Sequence, residues 1–289
     1  MALTRYNSKV NALPSPFVQG GFPMTVTVQE IVNRLLNPVN DTEPVENTVD
    51  TLKYGNPDAP VTKIAVTFTA TYEVLKMAVD AGAQLLVTHE PTYFNHRDET
   101  DWLQGDPVYE GKKKLIEDSG LAVFRFHDYV HDRYEPDGIG HGMLQALDWS
   151  AWADPAHPRL VVLEKPTAVK DVAAHIKSKL DIDSLRLIGS PELEVRRISL
   201  FPGAPGGERQ IQEFRDYDIE LMVAGETHEW ETNEYVRDAV ALGLDKALLI
   251  IGHQKSEEAG MQYAVDLLRR LFPSVETVFL PGQVAFRSI

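Results

Sequence analysis

Short apolar runs alternate with amphipathic segments along most of the chain from Val61 onward. This alternation is typical of an α/β fold, in which helices cover a sheet of strands. In the first half, we predict strands over residues 63–68, 84–88 and 121–126 and helices over residues 72–81, 111–119 and 139–147. An earlier helix is predicted from four apolar residues at helical spacing, Ile31, Val32, Leu35 and Leu36.

The second half repeats the alternation without repeating the sequence. Its predicted strands are residues 160–163, 196–201, 219–223, 247–251 and 277–280. Its predicted helices are residues 169–180, a segment around 211–214, residues 231–241 and a final helix after residue 252. Residues 149–158, which include Trp152, Pro155 and Pro158, interrupt the pattern and are predicted to form a linker.

These elements predict an α/β fold with a polar site at the ends of the strands. The overall expectation is two α/β lobes with mixed sheets and a metal site in the cleft between them. We expect residues 1–23 to be an N-terminal extension, residues 24–155 the first lobe and residues 156–289 the second. The final strand is a candidate to return to the first lobe.

The charge balance and the amino-acid usage exclude several classes of function. Lys plus Arg is 28 and Asp plus Glu is 43, which gives a formal net charge of −15. Such an acidic surface repels phosphate backbones and anionic lipid, which argues against nucleic acid or a membrane as the partner. The chain has no cysteine, so any metal site must use nitrogen and oxygen ligands. Because no signal peptide or membrane-length apolar run is present, we expect a cytoplasmic protein.

Three histidines come at or just after the ends of predicted strands: His89, His127 and His253. The carboxyl ends of strands in an open α/β sheet border the ligand crevice, so we expect these side chains to converge on one site. Each has further polar neighbours, which are Glu90, His131 and Glu257. Imidazoles and carboxylates together are typical ligands of divalent metal ions.

Each motif also has a simpler interpretation. His89, followed by Glu90 and Pro91, could instead satisfy a backbone carbonyl at a strand end. The segment 126–132, which contains His127 and His131, could be a solvated loop in which Asp132 and Asp137 are surface charges.

The segment Gly252-His253-Gln254-Lys255-Ser256-Glu257 is the strongest of these signals. If a helix begins after Gly252, His253 and Glu257 lie one turn apart on the same face and can reach one metal. The alternative is a helix start at which the Glu257 carboxylate stabilises the helix dipole.

Two further loops follow predicted strands. Glu226 is a candidate general base or a residue that orients a metal ligand, and His228 is a candidate substrate contact. The alternative is that this segment only provides Thr227 as the cap of the next helix. The loop 203–207 resembles a phosphate cradle but lacks a P-loop lysine and the dinucleotide fingerprint. Surface or structural roles are expected for the other histidines, which are His96, His141, His157 and His175.

Taken in order, these segments resemble the NGG-interacting-factor-like family of dinuclear-metal proteins, whose bacterial members are often labelled GTP cyclohydrolase I type 2 homologues. The resemblance runs from about Met24 to the end of the chain and includes the Thr88-His89, His127, Gly203, Gly225-Glu226 and Gly252–Glu257 segments. It implies two α/β lobes with a metal pair between them, usually assembled into a toroidal hexamer.

The chain departs from the family pattern at two positions. The family typically has a second histidine where this chain has Glu90, and an aspartate where this chain has His131. The implied ligand set therefore still contains three imidazoles and two carboxylates, which are His89, Glu90, His131, His253 and Glu257. His127 is expected to be an additional metal ligand or a residue that orients one. The implied cofactors are two divalent metal ions, with Zn, Mn and Fe as candidates.

We therefore expect a dinuclear metal-dependent hydrolase that acts on a small molecule, either a cyclohydrolase-type or a phosphoester-type substrate. Glu226 or Glu90 would then be the catalytic proton acceptor. The alternative is a non-enzymatic regulatory or scaffold protein in which the metal ions organise an oligomer.

Overall fold

The computed structural model describes residues 25–39 and 42–286, so the predicted N-terminal extension lies outside the described residues. The first half of the chain contains these elements: α1 (Val28–Leu36), β1 (Leu52–Tyr54), β2 (Lys63–Thr67), α2 (Tyr72–Asp80), β3 (Leu85–Thr88), α3 (Pro107–Ser119), β4 (Ala122–Arg125), α4 (Asp128–Asp132) and α5 (Gly138–Ala146).

The second half continues the alternation. Its elements are β5 (Ala153–Asp154), β6 (His157–Ala168), α6 (Val169–Leu180), β7 (Arg186–Ile188), β8 (Glu194–Phe201), α7 (Gly207–Asp216), β9 (Leu221–Ala224), α8 (Glu234–Ala241), β10 (Ala247–Ile250), α9 (His253–Leu271) and β11 (Glu276–Phe279). None of the helices in the described ranges is both long and apolar enough to cross a membrane.

The first sheet is mixed and has the strand order β1-β4-β3-β2-β11. β1 pairs antiparallel with β4, and the other pairs are parallel. Thr88 lies opposite both Thr67 of β2 and Arg125 of β4. The residues that follow these strands, which include His89 and His127, therefore emerge at the same edge of the sheet.

The second sheet is also mixed and has the order β5-β6-β8-β9-β10-β7. Its central strands β8, β9 and β10 are parallel, and Ala224 lies opposite both Phe201 and Ile250. The loops that follow these three strands therefore also meet at one edge. They carry Gly203, Glu226 and His253, in chain order. The prediction of an α/β fold with two mixed sheets is confirmed.

Helix α9 connects the two sheets. It begins directly after β10 of the second sheet, but its apolar face packs in the first core, where Met261, Val265 and Leu268 are buried with Ile31. Close contact with α5 depends on glycine, because a Cβ atom at Gly260 would lie 2.5 Å from the Cα atom of Ile139. This packing fixes the start of α9 beside the edge of the first sheet.

Several local predictions need correction. Residues 149–158 are not an irregular linker, because they contain a 3₁₀ turn (Ser150–Trp152), strand β5 and the start of β6. Trp149 is buried, and β5 is the edge strand of the second sheet. The helix expected from residue 231 begins at Glu234, because residues Glu229–Asn233 form a π-helical turn. The short strands β1 and β7 and the helix α4 were not predicted, and the division of the chain near residue 155 stays a prediction.

Candidate metal centre

A cavity of about 1330 Å³ lies where the strand-end loops of the two sheets meet. The first half of the chain contributes Glu90, His127 and His131 to its lining. The second half contributes Gly203, Glu226, His253 and Glu257. The structure therefore brings the predicted site residues together, with His89 buried beside them.

His89 follows β3 and is fully buried. Its Nδ1 atom lies 3.1 Å from the carbonyl oxygen of Phe126, and because a carbonyl only accepts, Nδ1 is the donor. The lone pair of a neutral imidazole is then on Nε2. Among the described residues, Nε2 has no hydrogen-bond partner, although Glu257 Oε2 lies 3.3 Å away. His89 thus satisfies a carbonyl with one nitrogen and offers the other to the site.

Glu90 lies between the imidazoles of two other elements. Its Oε1 atom is 3.2 Å from His253 Nε2 and 3.9 Å from His127 Nε2, and its Oε2 atom is 3.6 Å from Arg125 Nη2. Burial opposes ionisation, but the hydrogen bond with His253 and the charges of the nearby imidazoles lower the pKa of Glu90 to about 2. The carboxylate is therefore held in its charged form.

His127 is the N-cap residue of helix α4, which carries His131, and the start of this helix is anchored by a residue far away in the sequence. The buried Asp50 carboxylate accepts hydrogen bonds from the backbone N–H groups of His127, Asp128 and Tyr129 at 2.7, 2.9 and 2.9 Å. This satisfies donors at the start of the helix that have no partner within it. Burial raises the pKa of Asp50, although these hydrogen bonds oppose the shift.

Carboxylates orient the imidazoles of both His127 and His131. His127 Nδ1 is 2.8 Å from Asp128 Oδ1, and His131 Nδ1 is 3.1 Å from both Asp137 oxygens. Burial lowers the pKa of His127. Burial also disfavours the charged form of His131, but the hydrogen bond to Asp137 outweighs it and the pKa of His131 is raised. Asp137 thus lines the cavity and orients His131, although its side chain is 45% exposed.

His253 is the first residue of α9 and follows Gly252, whose φ of +94° is readily adopted only by glycine. Its Nε2 atom is 3.1 Å from Glu257 Oε2, so the predicted one-turn spacing is confirmed, and its Nδ1 atom is 3.1 Å from Glu226 Oε2. Burial would lower the pKa of His253, but hydrogen bonds to Glu257 and Glu90 raise it to about 11.

Glu257 is almost completely buried, and a glycine loop packs against it. Burial would raise the pKa of Glu257, but the nearby His89 and His253 imidazoles hold it well below its usual range. A Cβ atom at Gly203 would overlap Glu257 Oε1, and Gly203 has a φ of +72°. The Gly203 N–H also donates to Ser256 Oγ at 3.0 Å. The loop 203–207 therefore uses glycine to approach the carboxylate.

The donor set fits a divalent metal ion. Two groups have ligand atoms within 4.8 Å of one another, one formed by His89, His127 and His131 and the other by His89, Glu90 and Glu257. In His89, His127 and His131, an oxygen acceptor holds Nδ1 and leaves Nε2 available, as is usual for histidines that bind metals. The buried Nε2 atom of His89, which has no hydrogen-bond partner among the described residues, belongs to this arrangement.

The other histidines have different surroundings. His157 Nε2 lies 2.8 Å from Glu213 Oε1, and His175 Nε2 lies 2.8 Å from the carbonyl oxygen of Leu147, so both make structural contacts. His141 packs against the Tyr263 ring. His228 does not line the cavity and pairs with Glu231 at 2.8 Å. His96 does line it, with its ring 5.5 Å from that of His127.

Sequence reasoning missed Asp50 and Arg125. Arg125 is fully buried at the end of β4, where its Nε donates to the carbonyl oxygen of His89 at 3.1 Å and its Nη1 to that of His96. A charged residue inside an apolar run was the available signal for it. No local signal marks Asp50, whose hydrogen-bond partners lie almost 80 positions further along the chain.

The fold and the site define an α/β protein with an imidazole and carboxylate cluster suited to metal. Residues 26–283 match the family described as Duf34/NIF3 (NGG1p interacting factor 3), and the chain belongs to this family. This confirms the resemblance. A Clostridium perfringens protein named GTP cyclohydrolase 1 type 2 homolog is 25% identical over 243 residues, which cover 80% of this chain and 86% of that protein.

Two solved structures show the same fold. A Bacillus cereus protein related to NIF3 has a TM-score of 0.69 at 14% identity, with 92% of this chain and 99% of that chain covered. The Staphylococcus aureus protein SA1388 has a TM-score of 0.68 at 16% identity, with 91% and 99% covered. At such identities, the likeness concerns the fold alone.

Proposed function

We propose that the protein binds two divalent metal ions at this cluster and uses them to hydrolyse a small molecule. The observation that carries the proposal is the buried Nε2 atom of His89, which has no hydrogen bond within the described residues and belongs to both donor groups. The name of the Clostridium perfringens relative refers to a cyclohydrolase, which supports a hydrolytic reaction.

We assign His127 and His131 to one ion and His253 and Glu257 to the other. Glu90 would contribute its carboxylate to the same ligand set, because its Oε1 atom lies 3.9 Å from His127 Nε2 and 3.2 Å from His253 Nε2. His89 completes the set. Bound ions of this kind lower the pKa of water toward about 7 and stabilise developing negative charge. Zn, Mn and Fe are the candidate metals for such nitrogen and oxygen ligands.

Glu226 is the better of the two candidate proton acceptors. It lines the cavity, its side chain is 55% exposed, and one of its oxygens lies 3.1 Å from His253 Nδ1. A substrate or water molecule in the cavity can therefore reach this carboxylate. Glu90 is engaged by Arg125 and two imidazoles, so we assign it to binding the metal and not to accepting a proton.

The cavity also has cationic groups for a substrate. Arg159 and Arg209 line it together with Phe201, and the Arg159 guanidinium lies 5.0 Å from the centre of the Phe201 ring. In a chain with a net charge of −15, two guanidinium groups at the same cavity favour a substrate with an anionic substituent. A phosphorylated small molecule has this chemistry.

The test is to load the protein with Zn, Mn or Fe and to measure turnover of GTP and of generic phosphoesters. We expect Glu226→Gln to retain metal and lose turnover, because the amide cannot accept the proton. Glu229→Gln is the control, since Glu229 is an exposed carboxylate of the same segment. Metal binding without turnover of any of these substrates would favour a regulatory or scaffold protein, and absence of metal binding would contradict both functions.

A further inference from the structure

A second cavity of about 440 Å³ lies beside the first and shares Pro91, Tyr93 and Phe94 with it. The rest of its lining comes from the beginnings of two helices. The α2 side contributes Thr71 and Tyr72, and the α3 side contributes residues between Pro107 and Lys112. None of the candidate metal ligands lines this second cavity.

A buried cation forms one wall. Lys112 is only 6% exposed, and its Nζ donates to the carbonyl oxygen of Thr92. The ammonium lies 5.6 Å from the ring centres of both Tyr93 and Phe94. Within the described ranges, no carboxylate lies within ion-pair distance of this ammonium. Asp98 attracts it from further away and forms its own ion pair with Lys53 at 3.4 Å. A buried ammonium normally has an anionic partner, because removing its charge from water is costly.

A buried hydroxyl group adds an independent observation. Thr92 lines the cavity, is 1% exposed, and its Oγ1 atom has no hydrogen-bond partner in the described part of the chain. Buried polar atoms are nearly always hydrogen-bonded, so this hydroxyl indicates a missing partner. The hydroxyl belongs to the residue whose carbonyl accepts from Lys112, and both residues line the same cavity.

Apart from Thr69 and Thr71, the rest of the lining is largely apolar, and large apolar side chains are exposed around it. Tyr72, Phe94 and Val108 line it and are 47%, 53% and 62% exposed. Exposed large apolar side chains that surround a pocket are typical of a binding site for a ligand with an apolar body. The first turns of α2 and α3, which carry partial positive charge, favour a negative group in the same cavity.

We propose that this cavity binds a small organic carboxylate, whose oxygens accept hydrogen bonds from Lys112 Nζ and Thr92 Oγ1. Its aliphatic or aromatic body would pack against Phe94 and Val108. One ammonium and one hydroxyl group match a single negative charge, whereas a phosphate near its dianionic form would leave charge uncompensated. The proposal does not depend on the function of the metal cluster, because no residue is shared between the two sets of ligands.

The test is calorimetric titration of the protein at neutral pH with benzoate, butyrate and inorganic phosphate. We expect saturable binding of one benzoate or butyrate per chain, with a Kd below about 1 mM, and weaker binding of phosphate. Lys112→Met and Thr92→Val should each weaken carboxylate binding at least about tenfold, because each removes a donor. Lys113→Met, at the next position of α3, is the matched control and should leave the Kd unchanged.

Several outcomes would overturn the proposal. Absence of carboxylate binding would mean that Lys112 serves only to hydrogen-bond the Thr92 carbonyl within the fold. Tighter binding of phosphate than of benzoate would contradict the carboxylate assignment, and equal binding of benzyl alcohol and benzoate would contradict recognition of the charge. Circular dichroism checks the fold of each variant. If Lys112→Met fails to fold, Thr92→Val decides, because it replaces a hydroxyl group by a methyl group of similar size.

Discussion

His131 and Asp137 are joined by a bifurcated hydrogen bond, in which the imidazole Nδ1 lies 3.1 Å from each carboxylate oxygen. Asp137 also accepts from the backbone N–H groups of Ile139 and Gly140 at the start of α5, at 2.9 and 3.3 Å. One carboxylate therefore fixes both a helix start and the orientation of a candidate ligand.

This relationship predicts the effect of Asp137→Asn. The amide oxygen can still cap α5, but it lacks the charge that holds His131 Nδ1 in its donor form. We expect metal affinity to fall by about 10–100-fold with little change in the free energy of unfolding. Competition with a chelator of known affinity measures the change. Asp118→Asn, at an exposed carboxylate of α3, is the control, and equal affinities of the two variants would contradict the role of Asp137.

The exchange of ligands relative to the family can be tested directly. We expect Glu90→Ala, His131→Ala and His253→Ala each to lower metal occupancy, because each removes a donor atom. The loss in metal affinity should be at least about 10–100-fold, which is typical even for residues that only orient a ligand. Elemental analysis after reconstitution measures occupancy. The double variant Glu90→His with His131→Asp should retain two ions better than either single exchange, because it restores the usual family set.

His141→Ala is the matched control for these variants, because the His141 ring only packs against Tyr263. His157→Ala is a less suitable control, since it would remove one partner of the buried Glu213 carboxylate. If Glu90→Ala and His131→Ala bind both ions as tightly as the wild type while His253→Ala does not, the exchange hypothesis fails. The ligands would then be His89, His127, His253 and Glu257.

Gly203→Ala is expected to disturb the site through a steric overlap. The new Cβ atom would meet Glu257 Oε1 and lie 3.2 Å from Glu257 Cδ. Gly206→Ala is the matched control, because its positive φ of +92° also strains a non-glycine residue and its Cβ atom would meet nothing within 4 Å. Each variant should lose on the order of 1–3 kcal/mol from backbone strain, and only Gly203→Ala should also lose metal affinity. Equal metal affinities would show that the loop does not hold Glu257.

Apolar periodicity predicted the strands that deliver the histidines, because a buried strand must be apolar whatever its partners are. It could not predict Asp50, whose role depends on the docking of residues 48–50 against α4. It also missed Arg125, because an apolar pattern treats a charged side chain as exposed. Its guanidinium can be fully buried only because Glu90 and two carbonyl oxygens surround it. Such partners exist only once the chain has folded.

The burial of Lys112 predicts a pH dependence of stability. Burial lowers the pKa of Lys112 from 10.5 to about 8, against the attraction of Asp98, and the ring of Tyr93 also faces the amine. Between these two pH values the unfolded chain binds more protons at this site than the folded protein. The cost of the buried charge is therefore present below about pH 8 and is relieved as the pH rises toward about 10.5.

Urea unfolding of the wild type and of Lys112→Met measures this dependence. Between about pH 7.5 and pH 10.5, the free energy of unfolding of the wild type should rise by up to about 3 kcal/mol relative to that of the variant. Lys76→Met, at an exposed position of α2, is the control and should show no such gain. A constant difference between wild type and Lys112→Met would mean that the amine is not desolvated in the folded protein.

We expect the native particle to be larger than a dimer, with a hexamer as the predicted assembly. The prediction comes from the resemblance to the family, and exposed apolar side chains such as Trp230 and Leu242, which are 76% and 78% exposed, provide surface for subunit contacts. Light scattering measures the mass. A monomer throughout the micromolar range would contradict the prediction.

The path of the chain has a consequence for synthesis on the ribosome. β11 is the outer neighbour of β2, and α9 fills part of the core that α1 and β2 begin. A nascent chain that has released only its first half therefore has an unpaired edge at β2 and an uncovered apolar face. The segment that closes both also carries His253 and Glu257, so native pairing in the first sheet and assembly of the candidate site both await synthesis of residues 253–279.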